Sequence, residues 1–136
     1  MSFSNQLKKL AEKRKQTLEQ VFRGTLLDIG SMIIIQSPHD TGRFRLNWNF
    51  SQGRIDPSTN DRTSPSKSSS QSEAIGKLEA ALKDFQIGQV FYMSNNLPYA
   101  IPLEYGHSTQ APKGMVRLSV RQYKKFLRDR TRGAND

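Results

Sequence analysis

The feature that most constrains the fold is a run of apolar residues, spaced by threes and fours, in the N-terminal quarter of the chain. This spacing aligns the apolar side chains on one face of an α-helix. It predicts a single helix over residues 3–35, with Ser2 or Ser4 as its N-cap and Pro38 beyond its end. Such a helix is about 45–50 Å long, which is long for a chain of 136 residues.

Two glycines, Gly24 and Gly30, lie inside this helix, where each costs about 1 kcal/mol relative to alanine. Close packing or a bend would explain them. The N-terminal half carries basic residues on its other faces, and we expect it to project beyond the core towards a neighbouring subunit. These residues are Lys8, Lys9, Lys13, Arg14 and Lys15.

The segment after the helix alternates between polar and apolar or aromatic residues over positions 43–50. A period of two predicts a half-buried strand with its even-numbered side chains in the core. A helix opened by Thr41 is the alternative, which the strict alternation disfavours. Residues 51–72 are rich in serine and poor in apolar residues, and this composition predicts a long mobile loop.

The second half of the chain predicts four more elements. They are a helix over residues 73–85, a short strand over 89–95, a helical turn over 99–105 closed by Gly106, and a helix over 113–130, followed by a frayed tail at 133–136. The order predicts one α+β domain over residues 1–136. In it, the long N-terminal helix and two further helices pack on a small antiparallel β-sheet.

The composition favours a protein that buries surface against other subunits. Hydrophobic residues make up 35% of the chain and the mean hydropathy is −0.69, which supports one modest core. The chain has no cysteine, so it has no disulfide and no thiolate metal site, which fits assembly in a reducing cytoplasm. It has neither an apolar run that could span a membrane nor the apolar segment of a secretion signal.

The net charge of +9 attracts nucleic acid, anionic lipid or an acidic protein surface, and a basic surface without a partner is the alternative. In the last predicted helix an apolar row at Val116, Val120, Tyr123 and Leu127 lies beside a basic row. This basic row can follow the phosphates of nucleic acid, and a basic face that contacts solvent or another subunit is the alternative. The basic row consists of Arg117, Arg121, Lys124 and Arg128.

Catalytic, metal-binding and cofactor-binding sites are not expected. His39 with Asp40, or Glu104 with His107 and Ser108, offers the residue types of a hydrolase. However, neighbours in the sequence rarely converge as a catalytic triad requires. Two histidines with scattered carboxylates are too few for a metal site, and no glycine-rich nucleotide motif is present.

Glu104 stands between the apolar residues Leu103 and Tyr105. A carboxylate in such a place needs a partner, either backbone N–H groups or an arginine such as Arg43 or Arg45.

Two segments resemble a known family. The first reads Pro38-x-Asp40-Thr41-Gly42-Arg43-Phe44-Arg45, followed by Trp48. The second contains Asn95, Pro98-Tyr99-Ala100, Leu103-Glu104-Tyr105-Gly106 and Ser108-x-Gln110-Ala111-Pro112-x-Gly114. Both resemble segments of the head–tail joining and tail-completion (neck) proteins of long-tailed bacteriophages, the group that includes the lambda tail-completion protein Z. Phe44 replaces a common leucine, and His107 replaces a common threonine.

The resemblance implies a structural role in the virion neck or upper tail, after synthesis in the bacterial cytoplasm. Such proteins are small α+β subunits that form rings, usually hexamers, which complete the upper end of the tail and allow it to join the DNA-filled head. The implied partners are further copies of the chain, a tail terminator or tail tube protein and a head-proximal connector or adaptor. Non-specific contact with the passing DNA is also implied.

The resemblance also marks residues for the corners of the fold and the contacts between subunits. They are Asp40, Thr41, Gly42, Arg43, Trp48, Tyr99, Ala100, Glu104 and Gly106. Two other functions stay open at the level of sequence. One is a small basic DNA-binding protein of a phage or prophage, and the other is a small hydrolase that depends on Asp40, Glu104 or His107.

Overall fold

A computed structural model describes residues 2–135, except for the side chains of residues 7, 8, 10, 11, 15, 16 and 133–135. The expectations for the side chains of Lys8 and Lys15 therefore lie outside the described residues, whereas the tail that the sequence predicts to be frayed is helical as far as Asn135. Among the described helices, none is long and apolar enough to cross a membrane.

The elements follow in the order α1 (Phe3–Gln36), β1 (Trp48–Gln52), α2 (Lys67–Leu82), β2 (Phe91–Asn95), α3 (Ala100–Glu104), α4 (Val116–Val120) and α5 (Tyr123–Asn135). Strands β1 and β2 form an antiparallel pair in which Trp48 lies opposite Asn95 and Gln52 opposite Phe91. Helix α1 packs against α2, α4 and α5. This arrangement confirms the predicted α+β class with its long N-terminal helix and small antiparallel sheet.

The long helix begins and ends as predicted. The Ser2 hydroxyl accepts the N–H of Asn5 as an N-cap, and Ser37 is the C-cap, one residue before Pro38. Close packing, rather than a bend, explains the two internal glycines. A Cβ at Gly30 would lie 2.6 Å from a methyl group of Leu78, and one at Gly24 would lie 2.9 Å from Nε of Arg130. Alanine at Gly30 would therefore collide with the buried Leu78, whereas alanine at Gly24 would displace the Arg130 side chain.

The core lies between the C-terminal half of α1, helix α2 and one face of the two-stranded sheet. Ile34, Leu78 and Trp48 are buried there, and Met115 closes the core from the side of α4. The indole Nε1 of Trp48 donates to the buried Ser37 hydroxyl at 2.9 Å. The one tryptophan is thus attached to the end of α1.

The predicted strand over residues 43–50 is wrong in its first half. Residues Arg45–Asn47 form a single 3-10 turn, and the strand starts only at Trp48. The even-numbered apolar residues are buried as expected, but Arg45, Asn47 and Asn49 are buried as well. Side-chain hydrogen bonds satisfy the polar residues of this run, so the alternation did not separate a core face from a solvent face.

The predicted serine-rich loop over residues 51–72 is too long at both ends. Residues 51 and 52 belong to β1, and α2 begins at Lys67 instead of residue 73. The Ser66 hydroxyl accepts the N–H of Ser69 as an N-cap. Serine is a strong N-cap residue, and here it starts a helix in a segment whose composition predicts a loop. Helix α2 ends at Leu82, and Phe85 packs in the core just beyond it.

The predicted helix over residues 113–130 is two helices. Helix α4 ends at Val120, Arg121 and Gln122 form a turn, and α5 starts at Tyr123. The predicted apolar row therefore does not continue along one axis, and Val120 and Tyr123 are exposed. The predicted strand over 89–95 is shorter, at Phe91–Asn95, and the predicted turn closed by Gly106 is helix α3.

Candidate functional site

The two segments that carry the family resemblance lie against each other. The Gln110 side chain joins them, because its Oε1 accepts the backbone N–H of His39 at 2.9 Å and its Nε2 donates to the His39 carbonyl at 3.0 Å. Nearby, the Asn95 side chain donates to the Phe44 carbonyl at 2.9 Å. Between the segments is a cleft of about 350 Å³, lined in part by Thr41 and Tyr99.

The first segment forms a corner that depends on Gly42. This glycine has a φ of +87°, and a Cβ at its position would lie 2.9 Å from the backbone nitrogen of Ser64. The Thr41 carbonyl accepts the N–H of Ser64 at 2.8 Å, and the Thr41 hydroxyl accepts the N–H of Arg43 at 3.3 Å. The corner therefore holds the end of the serine-rich segment, while Asp40 is exposed at its tip.

Aromatic side chains connect this corner to the second segment. Phe44 packs edge-on against Trp48, with ring centroids 5.7 Å apart, and its centroid lies 6.0 Å from that of Tyr99. Phe44 and Trp48 are buried, whereas Tyr99 is 37% exposed. Tyr99 therefore links the core to the outer surface, directly before Ala100 starts α3.

Glu104 is bound by α4 and not by Arg43 or Arg45. Its Oε1 accepts the N–H groups of Met115 at 3.1 Å and Val116 at 2.8 Å, and its Oε2 accepts the N–H of Arg117 at 3.0 Å. The Arg117 side chain adds an ion pair at 3.0 Å. The expectation of backbone N–H partners is confirmed, and the proposed pairing with Arg43 or Arg45 is wrong.

Opposing effects act on the Glu104 carboxyl. Burial raises its pKa, but the hydrogen bonds from Arg117, Val116 and Met115 lower the pKa by more, so that the net pKa lies below the ordinary value. Glu104 therefore stays ionised and stabilises the N-terminus of α4, where unpaired N–H groups attract a negative charge.

Two glycines allow the chain to come this close to itself. Gly106 has a φ of +86°, and a Cβ there would lie 2.5 Å from the carbonyl oxygen of Pro112. Gly114 has a φ of +81°, and its Cβ would overlap the carbonyl oxygen of Glu104. Larger residues at either position would separate α3 from the start of α4.

Arg43 and Arg45, which the family pattern marks together, have different environments. Arg43 forms an ion pair with the exposed Asp61 at 3.1 Å. Arg45 is buried and donates to the carbonyls of Ser37 at 2.9 Å, Ile35 at 3.1 Å and Lys67 at 2.9 Å. Burial lowers the pKa of Arg45.

Arg45 thus connects the C-terminal end of α1 to the first turn of α2, a role that sequence reasoning missed. The carbonyl groups at a helix C-terminus favour a cation. In the sequence, the available signal was the short separation of eight residues between Arg45 and Ser37, which allows the Arg45 side chain to reach back to the end of α1.

A group of asparagines, also missed, holds the segment between β1 and α2. Asn47 exchanges hydrogen bonds with the backbone of Asn60, with its Oδ1 accepting at 2.8 Å and its Nδ2 donating at 3.0 Å. The side chains of Asn49 and Asn96 both donate to the carbonyls of Asp56 and Ser58. Asparagine at the odd-numbered positions of the alternating run was the signal for these bonds.

The four predicted basic residues do not form one row. Arg117 contacts Glu104 and stacks on the Tyr105 ring at 4.5 Å. Lys124 and Arg128 are exposed on α5, and Arg121 lies in the turn that separates the two helices. The turn interrupts the predicted row after Arg117.

Three of the side chains considered for catalysis have other partners. His39 Nδ1 lies 2.9 Å from the Ser70 hydroxyl, the Ser108 hydroxyl accepts the N–H of Gln110, and Glu104 binds α4. Within the described part of the chain, no hydrogen bond joins any two of Glu104, His107 and Ser108. In the same part, no group of three or more histidine and carboxylate side chains could hold a metal ion.

Comparison of the chain with known protein families, with curated proteins and with solved structures finds no match. The resemblance to the phage neck proteins therefore rests on the two segments alone.

Proposed function

We propose that the chain is a structural subunit of the neck of a long-tailed bacteriophage. In this proposal it forms a ring, as a hexamer on the tail axis, completes the upper end of the tail and makes it competent to join a filled head. Its work is geometric, and no bond is made or broken. Its partners are other copies of the chain, a tail terminator or tail tube protein below and a connector or adaptor above.

The observation that carries the proposal is the contact between the two family-like segments. They are separated by the serine-rich segment in the sequence, yet the Gln110 side chain binds both the backbone N–H and the backbone carbonyl of His39. The glycines of the resemblance, Gly42, Gly106 and Gly114, all have positive φ. Shared residues that form one spatial unit and meet backbone requirements are stronger support for kinship than two unrelated short motifs.

A second support is the apolar surface next to these segments. On and beside α3, Ile101 is 72% exposed and Tyr105 is 66% exposed. Phe3, on the N-terminal half of α1, is 75% exposed. Ile101 and Tyr105 are four residues apart in the sequence, and neighbouring exposed apolar side chains mark contacts with other proteins. Phe3 is a separate exposed side chain, and a ring subunit has contacts on two sides.

The experiment is deletion of the gene from its phage, followed by electron microscopy of the particles. The proposal expects separate filled heads and finished tails, and the wild-type gene supplied in trans should restore joined particles. Ile101→Asp should fail to restore joining. A matched control, Ile55→Asp, changes an isoleucine that is 53% exposed in the segment after β1, and it should restore joining.

Joined, infectious particles without the protein would refute the proposal. Equal failure of both isoleucine variants, with both folded, would refute the contact at α3.

The DNA-binding alternative gains support from one specific observation, the location of the positive charge.

A further inference from the structure

The excess of positive charge lies in the first and the last helical parts of the chain. Residues 3–36 and 116–135 together hold 13 of the 21 basic residues and 4 of the 12 acidic ones. These residues therefore account for the whole net charge of +9, and the rest of the chain is neutral. Helices α1 and α5 pack against each other, with an ion pair between Arg130 and Asp28 at 2.8 Å, so that the two parts of the chain that hold the net charge are in contact.

Helix α5 has one packing face and one basic face. Phe126 and Leu127 are half-buried, and Arg130 reaches α1 from between them. Four other cations are exposed, and at 100° per residue they fall within an arc of about 100° on the opposite side. They are Lys124, Lys125, Arg128 and Arg132.

The four cations have no acidic partner on their own face. None of them forms an ion pair with a described acidic side chain. The helix's one acidic residue, Asp129, lies about 40° outside the arc, next to Lys125 and Arg132 on the helix surface, and forms an ion pair with neither. From Lys124 to Arg132 the row is about 12 Å long, and the helix holds it straight.

The composition of this face distinguishes between kinds of partner. A protein interface normally has an apolar centre, but no apolar side chain of the described part of α5 lies within the arc. Single-stranded nucleic acid is normally bound by several aromatic side chains that stack on its bases, whereas the described part of α5 has one exposed aromatic side chain, Tyr123, whose ring contacts Lys124. What remains is a rigid row of cations, which matches the regular negative charge of a duplex backbone.

We propose that the outward face of α5 binds the phosphodiester backbone of duplex DNA through Lys124, Lys125, Arg128 and Arg132, without reading its sequence. This surface revises the row expected from the sequence, because Arg117 is bound to Glu104 and Lys125 and Arg132 are added. The inference concerns the chain itself and holds whether or not the chain forms a ring.

The test is the affinity of the full-length protein for a labelled DNA duplex, measured by fluorescence anisotropy at several salt concentrations. The variant replaces Lys124, Lys125, Arg128 and Arg132 by glutamine. The control replaces Arg54, Lys67, Lys83 and Lys113, all exposed elsewhere, by glutamine, so that both proteins lose four positive charges. A third protein, with Lys124→Arg, Lys125→Arg, Arg128→Lys and Arg132→Lys, keeps the charge of the face.

The α5 glutamine variant should bind at least tenfold more weakly than the wild type. The slope of log K against log salt concentration should become shallower by about 3.6, since each of the four phosphate contacts contributes about 0.9. The control and the charge-preserving variant should keep most of the affinity and the slope.

Three outcomes would overturn the proposal. The control variant could lose as much affinity as the α5 variant, which would indicate a diffuse charge effect. A single strand of the same length could bind as tightly as the duplex. Polyglutamate of equal charge could bind as tightly as the duplex, which would indicate an acidic protein partner.

Discussion

Glu104→Gln tests whether the carboxylate that holds α4 also stabilises the fold. Glutamine keeps the size of the side chain but replaces one carboxylate oxygen by an NH2 group. If the remaining oxygen keeps the hydrogen bonds from the N–H groups of Met115 and Val116, the NH2 group faces two donors of Arg117, its backbone N–H and its Nε. Both donors then lose their acceptor.

The size of the effect follows from these two bonds. A backbone N–H that loses a charged acceptor costs about 1.5–3 kcal/mol. The Arg117 side chain is 50% exposed, so that water replaces much of the ion pair, which contributes less than about 1 kcal/mol. We therefore expect the free energy of unfolding to fall by about 3 kcal/mol.

Urea unfolding, followed by the fluorescence of the single buried tryptophan, Trp48, measures this loss. For a slope of about 2 kcal/mol per molar urea, the midpoint should fall by about 1.5 M. Glu79→Gln, on the exposed side of α2, is the control and should change the free energy by less than about 0.5 kcal/mol.

The pH dependence gives an independent check. Because the folded pKa of Glu104 is lowered, its contribution is complete above the ordinary pKa and is lost as pH falls through the folded pKa. The difference between wild type and Glu104→Gln should therefore shrink below pH 4.5, the ordinary pKa of glutamate. A loss under about 1 kcal/mol at neutral pH, with no change on acidification, would refute the reasoning.

Three further changes test other contacts by the same unfolding measurement. Gly114→Ala should destabilise the protein by about 2–4 kcal/mol, because residue 114 has a positive φ and an added Cβ would overlap a carbonyl oxygen. Gly76→Ala, where α2 has open space, should instead stabilise the protein by about 0.5–1 kcal/mol, and equal effects of the two changes would contradict the geometry. Arg45→Met should cost about 3 kcal/mol by removing hydrogen bonds to three carbonyls, and Arg45→Lys should recover only part of this, so full recovery by lysine would show that charge alone matters. Burial, with Arg45 and Lys67 nearby, lowers the pKa of His39, so the unfolded chain takes up the proton more readily and stability should fall as pH drops below 6.5, the ordinary value. His39→Gln should weaken this dependence, and an unchanged profile in His39→Gln would exclude His39 as its source.

Much of the fold follows from local sequence. Helix α1 could be predicted with both ends because its periodicity, its serine cap and Pro38 all act within a few residues. The positive φ of Gly42 and the turn closed by Gly106 could be predicted for the same reason. Hydrogen-bond partners for Glu104 could be predicted as well, because a carboxylate between apolar residues needs such partners wherever it lies in the fold.

The errors occurred where distant residues decide the outcome. The run around Arg45 alternates like a strand, but it has no solvent face, because carbonyls from α1 and from the segment after β1 satisfy its polar side chains. The start of α2 in the serine-rich segment depends on a single cap at Ser66, which the composition of the segment concealed. The last helix is interrupted at Arg121, which its regular spacing of residues did not reveal.

By itself, then, the sequence determined the helices and turns whose causes are local, the excess of positive charge and the two segments that resemble phage neck proteins. Only the tertiary structure decided that Gln110 joins those segments, that Glu104 binds α4 rather than an arginine, and which cations of α5 remain exposed. The physical reason is the distance along the chain over which each effect acts. Periodicity and capping act over a few residues of the chain, whereas hydrogen bonds and ion pairs depend on which distant groups packing brings within about 3 Å.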